Sequence, residues 1–152
     1  MSDPPLDPAW IIHRKSIFVV AGSHRGHRLM LPKGIQRGLK VEPLEIIEIY
    51  MNPIESLCLI RFQQNALKIP LPAHFQPIYP ERTVDGHFHV WKDGVHLTLP
   101  AEVMSNLRLQ ARSKLSMAYS PSHRLLALSP TVLQREQLTA LFKGKNGSAE
   151  NG

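Results

Sequence analysis

LMLPKGIQRGLKVEPLEIIEIYMNPIESLCLIR, residues Leu29 to Arg61, returns 68 positions later as LTLPAEVMSNLRLQARSKLSMAYSPSHRLLALS, residues Leu97 to Ser129, with no gap. Identical residues coincide at Leu29 and Leu97, Leu31 and Leu99, Pro32 and Pro100, Leu39 and Leu107, Pro53 and Pro121, and Leu57 and Leu125. Similar apolar residues keep the same register: Ile35 with Val103, Val41 with Leu109, Ile47 with Leu115, Ile49 with Met117. Just upstream, Gly26 falls on Gly94. A repeat of this length sets the architecture before any single side chain is interpreted. It predicts two copies of one unit, either in one domain with a pseudo-twofold axis or as a tandem pair.

Each copy reads as strand, strand, short helix, strand, strand. In the first, a strand is expected over Lys15 to Ala21, a turn over Gly22 to Gly26, and a returning strand over His27 to Leu31. Pro32 ends that strand, because it has no N–H for the ladder, and it suits the start of a helix. Lys33 to Lys40 then makes about two turns, with Ile35 and Leu39 on one apolar face and Lys33, Arg37 and Lys40 on the other. Gly34 and Gly38 weaken that helix, so tertiary contacts must hold it. Strands follow at Glu45 to Met51 and Ser56 to Phe62. The second copy is expected to repeat the order with a strand over Val84 to Trp91, an Asp93-Gly94 turn, a strand over Val95 to Leu99, a helix over Ala101 to Leu107, and strands near Ser113 to Tyr119 and Arg124 to Ser129. Pairing across Asp93-Gly94 sets Trp91 opposite His96 and His89 opposite Thr98.

These units divide the chain. Residues 1–13 are expected to be a flexible N-terminal tail, 14–62 the first repeat, 63–81 a proline-rich linker packed along the surface, 82–129 the second repeat, and 130–152 a C-terminal helix and tail. Leu133, Leu138 and Leu141 carry helical spacing within Thr131 to Phe142. That segment either packs on its own domain or holds a protein partner through residues 131–142.

With 152 residues, 43% of them apolar, the chain is long enough for one ordinary domain or two small intertwined halves. Thirteen prolines argue against long helices. The lone Cys58 excludes an internal disulfide and a multi-cysteine zinc site, and it lies in an apolar run, so an intracellular, buried thiol is expected. No apolar run approaches a membrane span, and the first eight residues are acidic rather than basic and apolar; a cytoplasmic location follows as an expectation.

The formal net charge of +6 is unevenly spread. Between Pro8 and Val41 there is no acidic residue, while Arg14, Lys15, Arg25, Arg28, Lys33, Arg37 and Lys40 are all present. Such a span attracts polyanions; the competing reading is a solvated basic face without a partner.

The glycine-to-proline strands followed by a short helix, Gly26-His27-Arg28-Leu29-Met30-Leu31-Pro32 with Ile35 and Leu39, and Gly94-Val95-His96-Leu97-Thr98-Leu99-Pro100 with Val103 and Leu107, resemble the AbrB/SpoVT swapped-hairpin superfamily. Two copies in one chain resemble the MraZ arrangement. The first hairpin carries His24 and Arg28, and the second Lys92 and His96, where MraZ-like repeats carry Asp-x-x-x-Arg. The resemblance implies a mainly β fold: duplicated β-β-α-β-β units forming a swapped-hairpin barrel, with short helices and a C-terminal helix. It also implies double-stranded DNA as the partner and a role in transcriptional regulation. Carried over by position, the contacts are Arg25, Arg28, Lys33 and Arg37 in the first copy and Lys92, His96 and Arg108 in the second, with Arg14, Lys15 and Lys40 on the same basic span. Arginine suits the task because its planar fork grips a phosphate or a guanine edge with two bonds. Because the second copy is poorer in cations, a single chain grips one half-site more firmly than the other, and self-association into a homo-oligomer is expected. An antitoxin-like or assembly protein that holds a partner through its C-terminal segment is the alternative.

Other chemistry is weaker. His87, His89 and His96 are expected on one face, but no cysteine or carboxylate is placed to complete a zinc site, so no metal and no cofactor is expected. Glu42, Glu45, Glu48 and Glu55 read as the wet face of a strand and its turns rather than as a catalytic pair. There is no phosphate loop or nucleophile elbow, and no enzyme is expected.

Overall fold

Pro32 and Pro100 each sit at φ −60 with extended ψ, and each opens a short helix. The computed structural model describes residues 7–23, 26–64, 69–81 and 85–151, with the backbone alone for 21–23, 26 and 144–151. In chain order its strands are β1 (Ile11–Phe18), β2 (Val20–Ser23), β3 (Gly26–Met30), β4 (Ile46–Asn52), β5 (Leu57–Phe62), β6 (Gln76–Ile78), β7 (Phe88–His89), β8 (His96–Leu99), β9 (Lys114–Ser120) and β10 (Leu125–Ser129). The helices are α1 (Lys33–Leu39), α2 (Ala101–Asn106) and α3 (Arg135–Asn151).

Local conformation recurs at the 68-residue offset. Behind α1, the Lys40 N–H donates to the Arg37 carbonyl and the Val41 N–H to that of Gln36. Behind α2, Arg108 donates to Ser105 and Leu109 to Met104. Lys40 and Arg108 are left-handed, at φ 52 and 55, the conformation that ends a helix by turning its last carbonyls back onto the chain. Leu44 and Arg112 (φ 61 and 72) and Ser56 and Arg124 (φ 51 and 50) are left-handed in the same register. Non-glycine residues avoid this region, so three matched pairs mean that both segments trace the same path.

The strands make two antiparallel sheets. The larger runs β1-β9-β10-β5-β4-β6, with β7 also on β4; the smaller is β2-β3-β8. At the centre of the larger sheet Leu59 opposes Ala127, and in the smaller Leu29 opposes Leu97. Both pairs join residues 68 apart. An antiparallel ladder centred on a pair of equivalent residues is what a local twofold through that pair generates. The edges correspond too: Ile17 opposes Leu115 as Phe88 opposes Ile47, and Ile12 opposes Ala118 as Pro77 opposes Tyr50.

Several expectations need correction. Among the described residues neither sheet closes on itself, so these strands do not form a closed barrel. The expected linker 63–81 contributes β6, which pairs with β4. The strand expected over Val84 to Trp91 is Phe88–His89 and pairs with β4, so His89 does not oppose Thr98. The Trp91 N–H does reach the His96 carbonyl, at 3.0 Å, across the tight turn. Val84 and Arg25 lie outside the described residues. The tail expected over 1–13 already holds a buried Trp10 and the start of β1 at Ile11. The C-terminal helix begins at Arg135 and continues to Asn151.

Alternation along β5 explains the layering. Cys58, Ile60 and Phe62 face one core with Leu29, Leu97, Ile35, Leu39 and Val103; Leu57 and Leu59 face another with Trp10, Leu125, Leu138 and Phe142. The first core lies between the two sheets and under α1 and α2; the second lies under α3. Every residue of β5 and β10 is therefore buried, and an apolar run without alternation is the sequence mark of a strand covered on both faces.

Candidate nucleic-acid interface

The outer face of the small sheet is set by the alternation that buries Leu29, Leu31, Leu97 and Leu99 beneath it. Val20 opposes Arg28, Arg28 opposes Thr98, and Met30 opposes His96, so all five residues share that face. The Arg28 guanidinium lies 5.9 Å from the centre of the Trp91 ring. Trp91 donates its indole N–H to the Thr98 hydroxyl at 2.9 Å and packs tilted against His96, centroids 5.2 Å apart. A cation over an indole face is attracted by the ring quadrupole, which holds Arg28 half-buried against the sheet.

Beside this face, a groove of about 750 Å³ runs between β1 and the start of α1. Arg14, Lys15 and Lys33 line it, together with the apolar side chains of Phe18, Val20 and Met30. Lys33 is thus brought beside the neighbouring cations Arg14 and Lys15, although 17 residues of chain separate it from Lys15. Burial, and after it the charge of Lys15, lowers the His13 imidazole below its usual value, so His13 adds a neutral ring to the same groove at pH 7.

The remaining candidates are more scattered. Arg37 and Lys40 are exposed on the last turn of α1 and just past it. Lys92 and Arg108 are exposed in the second half, at the hairpin turn and behind α2. His96 is not free, because its Nδ1 lies 2.5 Å from Asp93. Arg25 lies outside the described residues.

The histidines expected on one face do not converge. The His89 ring is tied to the Leu44 carbonyl at 2.9 Å and to Asp85 at 2.6 Å. The Leu44 carbonyl, before Asp85, raises its pKa. Hydrogen bonds from the backbone N–H groups of His87 and Val95 lower the Asp85 and Asp93 carboxyls, and His89 and His96 add to this. Among the described residues no three such groups gather as metal ligands would.

The reading of the glutamates as wet surface also needs correction. Glu42 and Glu55 are exposed, but Glu45 is 5% exposed and paired with the buried Arg124. Glu48 accepts from Arg61 Nε at 2.9 Å, and Arg61 also reaches the Tyr50 hydroxyl and the Ile69 carbonyl. The sequence signal was available in part: Arg61 interrupts an apolar run and Arg124 directly precedes one, and a charge within or beside such a run is buried only with a partner.

The apolar face of α3 is occupied. Leu138 and Phe142 pack on Trp10 and the outer face of the large sheet, with the Trp10 and Phe142 rings 6.0 Å apart. Among the described residues no helix is long and apolar enough to cross a membrane. No protein-family model, curated protein or solved structure matches the chain.

Proposed function

We propose that the chain is a DNA-binding protein, a transcriptional regulator with two swapped-hairpin units in one polypeptide, and that it meets duplex DNA with the basic residues of its first half. The observation that carries this reading is the contrast between equivalent positions. The first half exposes Arg14, Lys15, Lys33, Arg37 and Lys40 in a span without a carboxylate. At the same register the second half has Ala101, Glu102 and Ser105 where the first has Lys33, Gly34 and Arg37, and His96, the counterpart of Arg28, is hydrogen-bonded to Asp93. One face is thereby left positive, which is the electrostatic footprint of phosphate binding. The swapped-hairpin kinship is supported by the central pairs Leu29 with Leu97 and Leu59 with Ala127, and by the helix ends that recur at Lys40 and Arg108. A homo-oligomer would set several first-half faces on one DNA and multiply contacts that are individually weak.

Fluorescence anisotropy with a labelled duplex, repeated across a salt series, tests the reading. The log of the affinity is expected to fall linearly with the log of salt concentration, and the double variant Lys33→Ala, Arg37→Ala to reduce that slope by about 2. Arg108→Ala should change binding less. A protein that binds no duplex at low salt, or a double variant that binds like the parent, overturns it.

A further inference from the structure

We propose that the groove beside β1 binds an extended segment of a partner protein in which acidic and apolar residues alternate, and that this segment adds to the free edge of β1 as an extra strand. The proposal does not depend on DNA binding.

The first observation is the edge. β1 ends the large sheet, with β9 as its only paired neighbour among the described strands. The groove runs along its residues 13–18 and continues onto Val20, Met30 and the start of α1. An incoming strand finds main-chain groups on one side and a side-chain groove on the other, the two components of recognition by strand addition.

The second is that the apolar surface belongs to the first half alone. Phe18, Val20 and Met30 are 53, 41 and 53% exposed. Register identifies their counterparts: Phe18 opposes Lys114 as His89 opposes Ile46, Val20 meets Arg28 as Trp91 meets His96, and Met30 lies 68 residues before Thr98. In the second half every one of these is satisfied internally, His89 by Asp85 and Leu44, Trp91 and Thr98 by each other. The paired stretches of the second half end at Ile78 and resume at Phe88, with nine residues between them in sequence, whereas in β1 only Arg14, Lys15 and Ser16 separate His13 from Ile17. The fold does not require this surface to stay open, so three large apolar side chains grouped in solvent mark a contact surface.

The third observation selects the occupant. Arg14, Lys15 and Lys33 line the groove, Lys114 lies over the Phe18 ring at 6.0 Å, and among the described residues no carboxylate lines it. A second copy of this chain would bring another basic edge and be repelled, which is how exposed edge strands are kept apart. Duplex DNA answers the cations but leaves Phe18, Val20 and Met30 without apolar contact. An extended peptide that carries both aliphatic side chains and carboxylates answers both.

The test uses the full chain and a fluorescein-labelled pool of decapeptides in which glutamate alternates with a randomised aliphatic residue. Saturable binding is expected, with amide exchange slowed over residues 12–18. Val20→Glu and Met30→Glu, both at exposed positions, should each weaken binding at least tenfold while leaving the unfolding midpoint unchanged. The matching pool with lysine in place of glutamate should not bind. Absence of saturable binding overturns the proposal, as does equal binding of an all-glutamate decapeptide, since charge alone then accounts for the contact. It is also overturned if Val20→Glu abolishes self-association or duplex binding while peptide affinity stays unchanged, because the groove then belongs to a second copy or to nucleic acid. Loss of duplex binding in Lys33→Ala, Arg37→Ala bears on the DNA reading and leaves this one standing.

Discussion

Arg124 grips Glu45 from the opposite half of the chain: Nη2 donates to Oε1 at 2.9 Å and Nη1 to Oε2, while Nε donates to the Leu39 carbonyl at 2.8 Å and Nη2 also to that of Lys40 at 3.1 Å. One guanidinium therefore ties the end of α1, the turn before β4 and the turn before β10. The residues at the matching repeat positions are Ser56 and Ser113, so this clamp exists once and breaks the internal symmetry.

Arg124→Ala should be among the most damaging single changes, because it leaves the buried Glu45 carboxylate without its cation, held by the Glu42 and Gln64 N–H groups, and removes the guanidinium from the Leu39 and Lys40 carbonyls. A loss of about 3–5 kcal/mol is expected. Urea denaturation measures it, and Arg124→Ala with Glu45→Ala should recover part of the loss, since the stranded charge goes with its partner.

The two glycines of α1 should respond oppositely to alanine. A Cβ on Gly34 meets nothing within 4 Å, so the entropic gain of alanine is retained and stability should rise by about 0.5–1 kcal/mol. A Cβ on Gly38 lies 2.5 Å from the Tyr119 ring, so Gly38→Ala must displace that ring or the helix. Thermal midpoints should move up for the first and down for the second.

His89 should make stability depend on pH. Its folded-state pKa is raised above 6.5, so the stabilisation from its protonated form is fully present below 6.5 and lost as pH rises through the raised value. The Asp85 carboxyl is lowered below 3.8, so its share is present above 3.8 and lost as pH falls through the lowered value. The pair contributes most between these limits. His89→Gln should therefore cost more stability at pH 5.5 than at pH 8.5; an equal cost at both, measured by urea titration, would falsify the assignment.

Removing α3 should expose Trp10, Leu57, Leu59, Leu125 and Ala127 together. Leu138→Ala is expected to cost about 2–5 kcal/mol, and truncation after Gln134 to shift Trp10 fluorescence to the red and abolish cooperative unfolding.

Cys58 should be silent in the native state. Burial pushes its thiol up to about 12, and no part of the residue is exposed. A thiol reagent at pH 8 should label it only at the rate of unfolding.

By itself, the sequence determined the local elements: Pro32 and Pro100 as strand ends and helix starts, Ile35 and Leu39 as a buried stripe, the covered strands β5 and β10, and the basic span from Arg14 to Lys40. These follow from φ restriction, missing donors and side-chain periodicity, which act within a few residues. The tertiary structure alone decided which strands pair. β3 joins β8 and β1 joins β9 because cross-half pairing covers the apolar faces of both repeats at once, an outcome no local rule encodes. It also decided that Gln76–Ile78 is a strand, although Pro77 argues against one: on the edge of a sheet, proline can leave its missing donor on the unpaired side. The gathering of Arg14, Lys15 and Lys33 around Phe18, Val20 and Met30 depends on that same packing, since it joins residues of β1, β2, β3 and α1 that lie apart in the chain.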